Sequence, residues 1–150
     1  MSLLVRRAGA GDLAAVTALF TGYLDFYATP APPERVRAFL SDRLHSGDSV
    51  ILLGELDGRA VGLAQVFPTL SSLDLATLWT LGDLFVTPEA RGAGVGRALL
   101  RAVLAEAALA GAATVALETA HDNTRAQGLY ESEGFVRDTV YRVYSRPVGD

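Results

Sequence analysis

Residues 91–97, Arg-Gly-Ala-Gly-Val-Gly-Arg, hold the residue types a phosphate needs. Gly92, Gly94 and Gly96 let backbone approach a ligand closely, and Arg91 places a full positive charge beside them. A long apolar helical pattern starts at Val95. The first amides of a helix have no internal partner, and the helix dipole puts partial positive charge at that end. Just before the loop, the apolar run Leu84, Phe85 and Val86 ends at Pro88, which has no N–H for a sheet ladder. Strand, glycine turn and helix start, in that order, make an anion site.

Spacing excludes two common phosphate sites. A dinucleotide fingerprint needs a third glycine three positions after the second, where this chain has Arg97 or Leu99. A P-loop needs a lysine, and all 13 basic residues here are arginines. The remaining pattern is Arg-x-x-Gly-x-Gly, formed by Arg91, Gly94 and Gly96. A turn of the same composition that binds nothing is the competing explanation.

The elements that must position this loop follow from periodicity. Residues 3–7 read as a strand, and Asp12 offers an N-cap for a helix running to about Tyr27 on Leu13, Val16, Leu19, Phe20, Tyr23 and Leu24. Pro33 starts a second helix, with Val36, Phe39, Leu40 and Leu44 inward, which Gly47-Asp48 ends. Strands 49–56 and 59–67 flank Asp57-Gly58, a type I′ hairpin signal, and Pro68 closes that hairpin before a polar loop at 69–74. A fourth strand covers 76–86. The helix from Val95 runs to about Ala110, and Gly111 takes the left-handed position after it. Residues 113–118 form a short, central strand, and Asp122 or Asn123 caps a last helix ending near Glu133-Gly134. From Phe135 the alternation of Val136, Val140, Arg142 and Tyr144 predicts one or two final strands. The class is α/β, with a mixed, mostly antiparallel sheet, one βαβ crossover and flanking helices, in a single domain over residues 1–150.

Composition narrows the chemistry. Cysteine is absent, which removes disulfides, thiolate metal sites and a cysteine nucleophile. His45 and His121 are not spaced as a metal pair and the acids are scattered, so no metal site is expected. A net charge of -4 argues against nucleic acid and suits a cationic substrate. With no membrane-length apolar run and no signal pattern, a cytoplasmic protein without a membrane partner is expected.

A second motif spans residues 121–135, with Asn123, Ala126, Tyr130, Gly134 and Phe135 in order. The two motifs together resemble the GNAT superfamily of N-acetyltransferases, which use acetyl-coenzyme A. The run Tyr23-Leu-Asp-Phe-Tyr27, with residues 67–72 and 83–86, is similar to a subset holding histone/polyamine and D-amino-acid acetyltransferases. Gly82 stands where polyamine enzymes carry a further acid, a departure from that subset.

The resemblance implies a set of roles. Backbone groups of Leu84, Phe85 and Val86 would pair with the pantetheine arm of acetyl-CoA, beside a bulge that splays the fourth strand from the fifth. Amides through Gly92, Ala93, Gly94, Val95, Gly96 and Arg97, with Arg91, would hold the diphosphate. Asn123 would bond the pantetheine and Tyr130 would reach the thioester sulfur. The reaction is direct attack of a neutral amine on the thioester, so a base must take the ammonium proton and the leaving thiolate gains from a donor. Tyr130 is the candidate acid. Glu118, at the end of the fifth strand, is the first candidate base, with substrate binding as its other reading. Asp83 is the second, and barring a bulge it shares a strand face with Trp79, Leu81 and Phe85. The acceptor site implied comprises Tyr23, Asp25, Phe26, Tyr27, residues 71–74 and Trp79, an aromatic and acidic mixture suited to an amine. Acceptors range from small molecules to protein amines. A non-catalytic acyl-CoA sensor and a nucleotide-binding module remain rival classes. The apolar C-terminal strand (Val140, Tyr141, Val143, Tyr144) is expected to pair with a second subunit in a homodimer.

Overall fold

The computed structural model describes residues 1–149, which divide into two compact units, Met1–Glu118 and the residues from Thr119 on. The first unit contains strands β1 (Leu3–Arg7), β2 (Val50–Leu56), β3 (Arg59–Ser71), β4 (Ala76–Val86) and β5 (Thr114–Leu117). Its helices are α1 (Leu13–Phe26), α2 (Pro33–Ser46) and α3 (Val95–Leu109), with short 3₁₀ turns at Ala10–Asp12 and Pro88–Ala90. The second unit carries α4 (Thr124–Ser132). The strands lie in chain order in one sheet, antiparallel from β1 to β4 and parallel between β4 and β5. The parallel pair is the expected crossover through α3.

Local chemistry sets most boundaries. Asp57 and Gly58 both take positive φ, 51° and 80°, as a type I′ turn requires. Pro33 opens α2 and Gly47, at φ 68°, closes it. Asp12 does not cap α1 through its side chain. It accepts from the Gly9 N–H at 2.8 Å and bonds Arg6 at 2.7 and 2.9 Å, so it secures the entry turn instead.

The sheet has two covered faces. On one, α1 and α2 supply Val16, Leu19, Val36 and Leu40 against Ile51, Leu53, Leu63 and Phe85. On the other, α3 packs across β2, β3 and β4 through the fully buried Val95, Leu99, Leu100 and Val103. Gly54 and Gly62 pair across β2 and β3 beneath the start of α3. A Cβ on Gly54 would lie 2.8 Å from Val95 Cγ1, and one on Gly62 would lie 2.9 Å from the same atom. Two bare strand positions therefore let the first residue of α3 touch the sheet.

Four expectations are corrected. β3 does not stop at Pro68 but runs to Ser71, with Pro68 opposite Trp79. The pairing of β2 ends at Val50 and Val66, so β3 is an edge strand by Pro68 and the missing N–H breaks no ladder there. Residues 135–149 contain no helix or strand, and Val136, Val140 and Tyr144 are 91, 79 and 88% exposed. Within that segment the Asp138 carboxylate accepts from the Val140 and Tyr141 N–H groups at 2.8 and 3.0 Å, a local turn that competes with an extended course. As a result β5, expected to be central, is the edge of the sheet among the described residues. Phe39, expected inward, is 45% exposed, with the Arg43 guanidinium 4.6 Å above its ring.

Gly54→Ala is expected to lower unfolding free energy in a urea titration by about 1–3 kcal/mol, the usual cost of forcing a methyl into a packed core. An unchanged midpoint would show that Val95 can yield.

Candidate active site

The site begins with one extra residue. Gln65 on β3 lies opposite Asp83, but its neighbour Val66 lies opposite Leu81, so Gly82 is a bulge on β4. Glycine suits that place, since a Cβ would stand 2.9 Å from the Phe67 ring. The bulge has two consequences. The ladder between β4 and β5 covers Leu78–Leu81 only, paired with Thr114–Leu117. Past it, residues 83–86 keep β3 on one side, and among the described residues no strand lies on the other. The second consequence is a change of face. Asp83 and Phe85 lie with Gln65 and Leu63 on the α1–α2 face, while Trp79 and Leu81 share the α3 face with Val66. The common face expected for Asp83 and Trp79 is broken by that single residue.

The glycine loop follows β4 directly. Gly92 and Gly94 take φ 84° and 85°, a left-handed conformation that only glycine adopts without strain. Gly94 is the N-cap of α3, and its carbonyl accepts the first helical bond, from Ala98, at 3.0 Å. No side chain caps this end and no acid occupies its first turn. Its amides and dipole therefore face outward as a ready anion site. Gly96 lies within the helix at ordinary φ, so its contribution is lack of bulk. Arg91 is anchored rather than extended: its Nε donates to the Val86 carbonyl at 3.1 Å, and its guanidinium lies 5.0 Å over Phe26 and 6.0 Å from Phe85. It ties the loop to the ends of both β4 and α1.

A polar cluster sits at the bulge. The Gln65 side-chain amide donates to Asp83 Oδ2 at 3.0 Å. The Tyr23 hydroxyl of α1 lies 3.5 Å from the Gly82 carbonyl, near enough to the Asp83 carboxyl group to favour its ionised form. Burial raises the Asp83 pKa above the ordinary carboxylate range, and Gln65 and Tyr23 partly oppose that. Aromatic rings surround Tyr23, with Phe20, Tyr27 and Phe85 at 5.3, 5.0 and 6.0 Å between centroids.

Of the other expected site residues, Asp25 and Tyr27 are exposed at the end of α1, beside Phe26. Glu118 is exposed one residue beyond β5. Trp79 is buried on the opposite face and is not brought to the Tyr23 cluster. In the second unit, Asn123 caps α4 by accepting from the Ala126 N–H at 3.2 Å, which leaves its amide nitrogen as a donor. Tyr130 lies on α4, its ring 6.0 Å from that of Phe135.

The model for the Acetyltransferase (GNAT) family matches residues 16–135. The chain belongs to the GNAT family. A Bacillus subtilis (strain 168) relative, the uncharacterized N-acetyltransferase YhfO, is 39% identical over 140 residues, 93% of this chain and 94% of that one. The D-amino-acid N-acetyltransferase HPA3 of Saccharomyces cerevisiae is 33% identical, covering 81% of this chain and 78% of that one. A crystal structure of a probable acetyltransferase superposes with TM-score 0.91 at 36% identity, over 100% of this chain and 99% of that one. This GNAT protein is thus an N-acetyltransferase with the mixed-sheet fold of its relatives. Sequence reasoning missed Gln65 and Ser49, although an amide inside the apolar run Leu63-Ala-Gln-Val-Phe67 was a visible signal.

Gly94→Val should weaken coenzyme A binding about tenfold or more in calorimetry, because a left-handed non-glycine residue costs roughly 1–2 kcal/mol and 1.4 kcal/mol is a factor of ten. An unchanged Kd would mean the loop does not hold the diphosphate.

Proposed function

We propose that this protein transfers the acetyl group of acetyl-CoA to a primary amine of a small molecule or a protein. The observation that carries this reading is the opened edge of β4 past Gly82, which leads into the left-handed turn at Gly92 and Gly94. An extended amide chain can add to that edge as a strand does, through Leu84, Phe85 and Val86. The amides from Gly92 and Ala93 through Gly94, Val95, Gly96 and Arg97 then receive the diphosphate, with Arg91 holding the loop in place. When bound, acetyl-CoA supplies an activated thioester, and the chain's residues orient it and move protons.

Asp83 is the base in this reading. It stands at the point where the strands part, and burial shifts it toward the pH at which a carboxylate can accept a proton. Glu118, exposed just past the end of the adjoining strand, is the alternative. Tyr130 would protonate the leaving thiolate, and the Asn123 amide would bond the cofactor arm. Tyr23, Tyr27 and Asp25 offer aromatic and acidic surface to an incoming ammonium. A relative named for D-amino acids supports a small amine. The exposed apolar side chains of Val140, Tyr141, Val143 and Tyr144 support a homodimer, and a sedimenting mass of one 15.8 kDa chain would rule it out.

The deciding assay follows free thiol release from acetyl-CoA across a panel of primary amines. Binding of coenzyme A with no amine-dependent release would instead fit a sensor. Tyr130→Phe is expected to lower kcat tenfold or more without changing coenzyme A affinity, since positioned acids contribute about 10²–10⁴-fold.

Asp83→Asn is expected to lower kcat by about 10²–10⁴-fold and not to lower stability at pH 7. A raised native pKa means that the charged carboxylate opposes folding at high pH, and that this cost vanishes as pH falls below the unfolded value. Melting temperatures of both proteins from pH 4 to 8 check the sign: the wild type should lose ground to Asp83→Asn as pH rises.

A further inference from the structure

Gln65 is the buried polar side chain of the described residues, with no exposed surface, set in β3 between the equally buried Ala64 and Val66. Its flanks are apolar, so the core alone would accept a leucine or methionine here. The amide is instead bonded at both ends: Ser49 Oγ donates to Gln65 Oε1 at 2.9 Å, and Gln65 Nε2 donates to Asp83 Oδ2 at 3.0 Å. A carboxylate can only accept, and a serine hydroxyl that donates to Oε1 leaves the NH₂ end for Asp83. The chain of bonds therefore has one direction, from Ser49 through Gln65 to Asp83. Strand geometry makes the meeting specific. Were β4 regular, Gly82 would face Gln65. The bulge moves Asp83 into that place, on the face of Tyr23.

We propose that Gln65, oriented by Ser49, is a positioning residue for acetyl transfer, which fixes the plane of the Asp83 carboxyl group so that it meets the acceptor amine. The inference rests on Asp83 acting as the base. Ser49, just before β2, and Gln65 are neutral, so they hold the carboxyl group without neutralising it. Tyr23 approaches from α1, its hydroxyl 3.5 Å from the Gly82 carbonyl, and favours the ionised carboxyl group.

The test is a double-mutant comparison using the primary amine with highest turnover in the panel. Gln65→Leu is expected to lower kcat about 10- to 100-fold, the usual loss from a small misplacement of a reacting group, with KM for acetyl-CoA within about twofold of wild type. In an Asp83→Asn background the same substitution should change kcat by less than about twofold, because nothing is left to position. Ser49→Ala, which removes only the far hydroxyl, should show the same dependence on Asp83 with a smaller loss, and it carries the test if Gln65→Leu does not fold. Undiminished kcat in a folded Gln65→Leu protein, or an equal loss in both backgrounds, overturns the proposal. Undiminished kcat in Asp83→Asn alone overturns the base assignment, and that failure is read without altering Gln65.

Discussion

One inserted residue on β4 sets the chemistry of this fold. A regular strand would pair with both neighbours along its length and expose no backbone donors. By adding Gly82, β4 shifts its register against β3, parts from β5 and turns Asp83 toward α1. An open backbone edge and a buried carboxylate thus have a common origin. Residue size keeps them together, because Phe67 occupies the space any larger side chain at position 82 would need.

The loop after β4 depends on the core in a second way. Its helix, α3, is seated by Val95 in contact with two bare strand positions, Gly54 and Gly62. Those glycines lie far from the loop in sequence, yet they set how close the N-terminal end of α3 comes to the sheet. Arg91 adds a tie from the other side, stacked on Phe26 and bonded to Val86. The loop is therefore held by sheet packing beneath and by an aromatic contact to α1, so its glycines need not be floppy to be left-handed.

The Asp83 cluster sets burial against charge, the opposition between stability and activity that a catalytic carboxylate would carry. Burial disfavours its charge, and a hydrocarbon core would fold at least as readily. A neutral amide and a phenol partly oppose that cost, because they favour the ionised form without cancelling its charge. An arginine in their place would hold the group permanently ionised and too weak to accept a proton.

Much of this was legible in the residue string, and the limit is physical. Left-handed glycines, the Asp57-Gly58 turn, the Pro33 start and the spacing of Val95, Leu99 and Val103 are local properties, so they place the loop and its helix from sequence alone. The start of α4 was legible in the same way, with Asp122 or Asn123 as its cap, and the structure uses Asn123. Strand register is different, because it belongs to two strands at once: nothing near Gly82 states that Asp83 will oppose Gln65, eighteen positions away. The same holds for Pro68, tolerated because β2 has already ended, and for Trp79, sent to the other face by the bulge. Alternation after Phe135 predicted strands, but alternation specifies a strand only where a sheet edge receives it, and Asp138 draws that backbone into a turn. Sequence determined which segments could bind and react. Tertiary pairing decided which side chains meet, since hydrogen-bond register across strands is set by packing that no single segment contains.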